Sequence, residues 1–170
     1  MEFDITTDNV PAAADLSFRA SAEDDHPRVL EVLGRWWGGL GGDEGARQRA
    51  SLLPRLFFQH FNDTSFIVER DGELVGFLVG FLSQSHPDEA YIHFVGIAPE
   101  LQGHGLGRTL YEKFFDLVRR HNRTTVRAIT SPANTGSQSF HAQMGFTATL
   151  SPHPHYDGPD LTRVTFVRTL

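Results

Sequence analysis

The chain contains no cysteine, which excludes disulfides, thiolate nucleophiles and thiolate-held zinc or iron–sulfur centres together. A reducing compartment, the cytoplasm, is the expected setting. Lysine is nearly absent too, with Lys113 standing alone among arginines. Basic charge is in deficit: 15 Lys+Arg against 21 Asp+Glu leave a formal charge of −6, which argues against a nucleic-acid binder that works by neutralising phosphates. No run approaches the ~18 apolar residues of a membrane span, and the N-terminus lacks the basic-then-apolar order of a secretory signal, so no membrane partner is expected. There is no internal repeat, heptad pattern or low-complexity tract. What is present is 170 residues, 39% of them hydrophobic and 11% aromatic, enough apolar material for a single folded domain over 1–170. An acidic globular protein of this kind suits a cationic or amine-bearing partner.

The pattern along the chain is mixed α and β. Residues 16–20 alternate like a strand, and Asp24, Asp25 and Pro27 then open a helix carrying Val29, Leu30, Val32, Leu33, Trp36 and Trp37. Glycines within 38–42 break it, and a second helical run is expected over 46–61. Two strands, 65–70 and 74–84, are joined by Asp71-Gly72, a strong hairpin signal. A third strand, 90–98, ends at Pro99, which cannot donate to a ladder. Leu106, Leu110, Phe114, Leu117 and Val118 give the helix 105–121 one apolar stripe. A strand at 125–130, a short helix at 134–144 stopped by Gly145, and strands at 146–150 and 161–168 complete the order. The loop 151–160 is the one long connection.

The strand-to-helix join Ile97-Ala98-Pro99-Glu100-Leu101-Gln102-Gly103-His104-Gly105-Leu106-Gly107-Arg108 has an evident physical use. Glycines let an anion approach backbone N–H groups, and the free amides and positive dipole end of the following helix attract it, so a pyrophosphate fits there. The spacing is neither that of a Walker loop nor that of the dinucleotide fingerprint.

Gln102-Gly103-His104-Gly105-Leu106-Gly107, preceded by Val95-Gly96-Ile97 and Pro99, resembles the acetyl-CoA signature of the GCN5-related N-acetyltransferases. Asn134, followed by His141 and then Gly145-Phe146, resembles the second motif of that family, in which Tyr usually stands where this chain has His141. The likeness covers about 65–150, the expected acetyl-CoA-binding core. It implies an α/β (α+β) fold: a mixed, mostly antiparallel, splayed sheet of about seven strands flanked by about four helices. Acetyl-CoA is the implied donor and no metal is implied. The pantetheine arm would pair with Val95, Gly96 and Ile97, and the amides of Gly103 to Arg108 would hold the pyrophosphate, with Gln102, His104, Leu106 and Arg108 in the same turn. Asn134 matches a position that commonly contacts the arm, although an Asn there is equally a helix N-cap.

The reaction implied is direct attack of an amine on the thioester in a ternary complex. A lysine-like amine must first lose its proton, at a cost of about 4.6 kcal/mol at pH 7, against about 1 kcal/mol for an α-amine. His141 is the candidate acid, with Tyr156 or water as its substitute. Strand alternation puts Tyr91, His93 and Val95 on one face, which makes His93 the first candidate base and Glu89 the second. On the acceptor side stand Trp36 and Trp37, Phe57 and Phe58, Tyr91, Tyr156 and Asp157, since aromatics beside carboxylates suit an ammonium. His153, His155, Asp157 and Asp160 are read as a proline-stiffened surface loop rather than a metal site. The expected activity is acetylation of a primary amine on a small molecule. The alternatives are acetylation of a protein N-terminal amine and a non-catalytic acyl-CoA sensor. A homodimer is possible.

Overall fold

The computed structural model describes residues 15–37, 41–151 and 153–170. One seven-stranded sheet runs through it in the order β1-β2-β3-β4-β5-β7-β6. The strands are β1 (Ser17–Ala20), β2 (Phe66–Arg70), β3 (Glu73–Leu82), β4 (Glu89–Ile97), β5 (Thr125–Thr130), β6 (Thr147–Leu150) and β7 (Val164–Thr169). All neighbours are antiparallel except β4 and β5. Helices α1 (Asp25–Leu33), α2 (Gly42–Ser51) and α3 (Leu56–His60) belong to one face, and α4 (Leu106–Arg120) and α5 (Thr135–Gln143) to the other.

Each face has its own core. Beneath α4 lie Ala90, Ile92, Val126, Ala128 and Phe166, packed on Leu110, Tyr111, Phe114 and Phe115. On the opposite face Val29, Val32, Leu33, Leu53 and Phe58 cover Ile67, Phe77 and Val79. The Asp71-Gly72 turn forms as expected, both residues at positive φ (53° and 81°), the geometry that twists with the flanking strands. The helical run expected over 46–61 is two helices, because Pro54 lacks the N–H and clashes with the preceding turn. Of the glycine run expected to end α1, residues 38–40 lie outside the described ones.

Asp25 does more than begin α1. It is 3% exposed, its carboxylate accepts 2.7 Å bonds from both Nη atoms of Arg19 and a 2.8 Å bond from the Ala22 amide, and Arg28 adds a further contact. Arg19 and Arg28 also reach Glu69 on β2, so one four-residue ionic cluster ties α1 to the β1–β2 edge. Burial opposes ionisation of Asp25, but Arg19 and the Ala22 amide outweigh it and hold the carboxyl below its usual range.

Two irregularities position the site. The parallel β4–β5 ladder lasts for only three pairs, Glu89–Thr125, Ala90–Val126 and Tyr91–Arg127, beyond which the strands separate. On its other side β4 pairs with β3 along almost its whole length, but the register slips where Val79 opposes Phe94 and Gly80 opposes Ile92. His93 is the extra, bulged residue.

Candidate active site

The splay leaves the β5-facing edge of β4 from Ile92 to Ile97 without a ladder partner among the described residues. That edge leads through the 3-10 turn Pro99–Leu101 into the glycine turn. There Gln102 Nε2 donates to the Ile97 carbonyl over 3.1 Å, and Gly103 and Gly105 take φ of 79° and 85°. A Cβ on either glycine would meet nothing within 4 Å, so the concavity is open to a ligand. Gly105 caps α4 without a side chain, and the first helical bond runs from the Thr109 amide to the Gly105 carbonyl. The amides ahead of Thr109 point out of the helix start, and a fifteen-residue helix dipole stands behind them. His104 and Arg108 are exposed beside this cradle. The donor set suits a pyrophosphate, and the free strand edge suits an amide-bearing arm that adds to it as another strand would.

The bulge corrects the expected face pattern of β4. Ala90 and Ile92 point into the α4 core, so Glu89, Tyr91 and His93 share the other face. After the extra residue the phase reverses: Val95 and Ile97 enter the α4 core while Phe94 and Gly96 join His93. Val95 therefore does not share a face with His93. Phe94 stacks on Phe77 and meets Trp37 edge-on, and a Cβ on Gly96 would lie 2.4 Å from Phe77 and 3.1 Å from Trp37. Trp36 and Trp37 are thus half-buried packing residues over β3 and β4, with the Arg49 guanidinium 5.5 Å from the Trp37 ring centre.

His93 lies flat on Phe57 at 4.4 Å and 11°, and its Nε2 donates to the carbonyl of Leu52. Because a carbonyl only accepts, the proton resides on Nε2 and the lone pair on Nδ1. Burial lowers the His93 pKa, opposed by the Leu52 bond, so the ring is neutral at pH 7. Glu89 is differently placed: Arg127 binds it through Nε and Nη2 at 2.7 and 2.8 Å, which depresses its pKa and leaves it a weak base.

His141 is 4% exposed, stacked on Phe166 at 4.0 Å and 3°, and edged by Phe140, Phe146 and Tyr111. Nδ1 lies 2.8 Å from the Ser137 carbonyl and Nε2 2.9 Å from the Tyr111 hydroxyl. Burial lowers its pKa as well. Both nitrogens of this imidazole are engaged inside an aromatic cage, its N–H committed to the Ser137 carbonyl and its lone pair to the Tyr111 hydroxyl. Asn134 caps α5, its Oδ1 accepting from the Ser137 amide at 3.0 Å.

In the last loop Asp157 pairs with Arg163, and His155 Nδ1 accepts from the Asp160 amide. Among the described residues no three His, Asp or Glu side chains converge as a metal site would require. Tyr156 and Asp157 approach the Tyr91 hydroxyl, whose pKa is raised by burial first and by these two neighbours next. Tyr91 stacks on Phe81 at 5.4 Å and 10°, and a cavity of about 260 Å³ opens here among Phe81, His86, Glu89, Tyr91 and Arg127. Sequence reasoning missed Phe81, Tyr111 and Arg127. Arg127 carried a readable signal, a charged residue between Val126 and Ala128 of a strand that otherwise faces a core.

A splayed β4–β5 pair beside a glycine-lined helix start can receive a ligand that carries both an amide-bearing arm and a pyrophosphate. The sequence model of the Acetyltransferase (GNAT) family matches residues 27–146, and the chain belongs to that family. It is 32% identical over 110 residues to the L-2,4-diaminobutyric acid acetyltransferase of Nocardia farcinica, a match covering 64% of this chain and 57% of that protein. The chain therefore spans a little over half the length of that relative. Among solved structures, the fold resembles diaminobutyrate acetyltransferase from Paenibacillus lautus, in complex with its substrate and coenzyme A. The TM-score there is 0.68, with 21% identity and 89% of this chain and 93% of that one covered. It also resembles the ribosomal-protein-S18-alanine N-acetyltransferase of Escherichia coli, with a TM-score of 0.63, 18% identity and coverages of 91% and 92%. The names of these two solved structures specify different acceptors, so the fold alone does not choose one.

Proposed function

We propose that the chain transfers the acetyl group of acetyl-CoA to a primary amine of a small molecule, the amine attacking the thioester directly in a ternary complex. The observation that carries this reading is the unpartnered edge of β4 over 92–97 running straight into the open amide cradle of Gly103 to Arg108. Val95, Gly96 and Ile97 would bind the arm through their backbone; Gln102, Gly103, His104, Gly105, Leu106, Gly107 and Arg108 would hold the phosphates. Bound there, acetyl-CoA supplies the activated acetyl group.

His93 acts as the base. Its Nδ1 lone pair is free while Nε2–H is held by Leu52, and its lowered pKa keeps it unprotonated at pH 7. No strong acid is needed: a thiol has a pKa near 8.5, so a leaving thiolate takes its proton from water at little cost at neutral pH. The His141–Tyr111 pair then serves to fix α5 against α4, and Asn134 to start α5. Tyr91, Tyr156 and Asp157 bound the acceptor side, with Trp36 and Trp37 behind the cofactor strand. Single-domain organisation over 1–170 and a cytoplasmic setting belong to this reading, and a homodimer would form most simply across the free edge of β6. No described helix is long and apolar enough to cross a membrane.

The test is thiol release from acetyl-CoA with a panel of diamines, amino acids and short peptides. Turnover with a small amine supports the reading. Turnover confined to peptides with free N-termini would replace it by protein acetylation, and tight binding of acetyl-CoA without release from any acceptor would replace it by a sensor.

A further inference from the structure

The Glu89–Arg127 pair joins residues on two strands, side by side at the closed end of the splay, on the face that also carries Tyr91 and His93. Of the five guanidinium N–H donors, two go to Glu89, so three remain, and among the described residues Arg127 has no other hydrogen-bond partner. Its Nη1 edge can therefore take a second carboxylate. Each Glu89 oxygen accepts one bond from Arg127 and retains a lone pair for another donor. The pair is partly exposed, with side-chain exposures of 21% for Glu89 and 46% for Arg127, so a ligand reaches both groups without prising apart a core. Beside them the cavity of about 260 Å³ has an aromatic floor of Phe81 and Tyr91, small against the roughly 300–1,000 Å³ of sites for drug-sized ligands.

We infer that this pair anchors a zwitterionic acceptor: an amino-acid head whose carboxylate lies on Arg127 and whose ammonium lies on Glu89. The inference rests on the acetyltransferase reading and names its substrate class. It also identifies which amine reacts. An ammonium held against an ionised Glu89 stays protonated and cannot attack, so the nucleophile is a second amine further along the same molecule. Glu89 and His93 stand four residues apart on one face of β4, about 13 Å along the strand, and their side chains and a short aliphatic chain span that interval. The acceptor is a small diamino acid, bound head-first at the closed end with its distal amine at His93.

The experiment compares 2,4-diaminobutyrate with 1,3-diaminopropane, its decarboxylated counterpart, as acceptors for wild type, Arg127→Gln and Arg127→Lys. In the wild type the diamino acid is expected to be preferred, mainly through KM. Arg127→Gln is expected to raise KM for the diamino acid about ten- to a hundredfold and to abolish its wild-type preference over 1,3-diaminopropane, with Arg127→Lys between. Equal use of the two amines by wild type, or an equal loss with both in Arg127→Gln, overturns the inference while leaving the acetyltransferase intact. If neither amine releases thiol, that reading fails separately, and calorimetry of 2,4-diaminobutyrate with the CoA-loaded protein decides the anchor: binding abolished by Arg127→Gln upholds it, and absent or unchanged binding refutes it.

Discussion

His141 Nε2 accepts a hydrogen bond from the Tyr111 hydroxyl, and the direction of that bond is set from the far side of the ring. The Ser137 carbonyl at Nδ1 can only accept, so Nδ1 carries the proton and Nε2 the lone pair. Two residues thirty positions apart thereby satisfy each other in a space sealed by Phe140, Phe146 and Phe166.

Removing the hydroxyl in Tyr111→Phe leaves the His141 lone pair buried without a donor. The expected cost is about 1–3 kcal/mol in the unfolding free energy, with kcat within about twofold of wild type. Denaturant unfolding and thiol-release kinetics on the same preparation check this, and a collapse of kcat in a folded variant would return His141 to the chemistry.

Stability should fall on mild acidification. His93 and His141 both have folded-state pKa values pulled below the ordinary 6.5, so the unfolded chain takes up their protons first. Their contribution is complete above about pH 6.5 and is lost as pH falls from there towards the folded values. Asp25 and Glu69, whose values are depressed below 3.8 and 4.5, add a separate loss at lower pH. Unfolding free energies measured from pH 8 to 2 should be flat at first and then decline in two stages; a constant value between 7 and 5 would contradict the histidine assignment.

Activity has its own signature. In the proposed reaction the acceptor amine must be neutral, which makes log kcat/KM rise with a slope of about 1 through neutral pH; protonation of His93 should steepen the slope to about 2 on the acid side of 6.5. His93→Gln is expected to lower kcat/KM about a hundredfold and to leave a slope of about 1 throughout. An unchanged break in the profile would assign the base elsewhere.

A methyl group on Gly96 has nowhere to go. Its Cβ would stand 2.4 Å from Phe77, which is fully buried, and 3.1 Å from Trp37. Gly96→Ala should cost about 1–3 kcal/mol and shift the tryptophan emission as Trp37 is displaced. Unaltered fluorescence and stability would mean that Trp37 does not pack on β4.

The two readings of Asn134 can be separated. Asn134→Ala removes the cap on Ser137 and should cost about 1 kcal/mol, whereas Asn134→Asp keeps an acceptor there and should be near neutral in stability. Weaker acetyl-CoA binding in the Asp variant, measured by calorimetry, identifies a contact from the amide nitrogen; wild-type binding in both variants assigns Asn134 to the cap alone.

Local chemistry determined a large part of this protein by itself. The Asp71-Gly72 hairpin, the amphipathic stripe of α4 and the glycine turn before it are legible because each depends on residues within a few positions of one another: positive φ, a 3.6-residue period, free amides at a helix start. Pro54 was equally local and shows the helical run over 46–61 to be two helices. What only the tertiary structure decided depends on register and long-range pairing. A single extra residue at His93 reverses the in-and-out phase of β4, and no alternation count can see it, because the slip exists only relative to β3. The partners that redefine the site lie far away in sequence. Glu89 meets Arg127 because two strands run parallel, and His141 meets Tyr111 and Phe166 because α5 is closed between α4 and β7. An imidazole read in isolation is a proton donor or acceptor at neutral pH; desolvation and two committed hydrogen bonds turn His141 into a neutral core residue, while the same desolvation comes with one bond, to the Leu52 carbonyl, at His93, which suits the base proposed there.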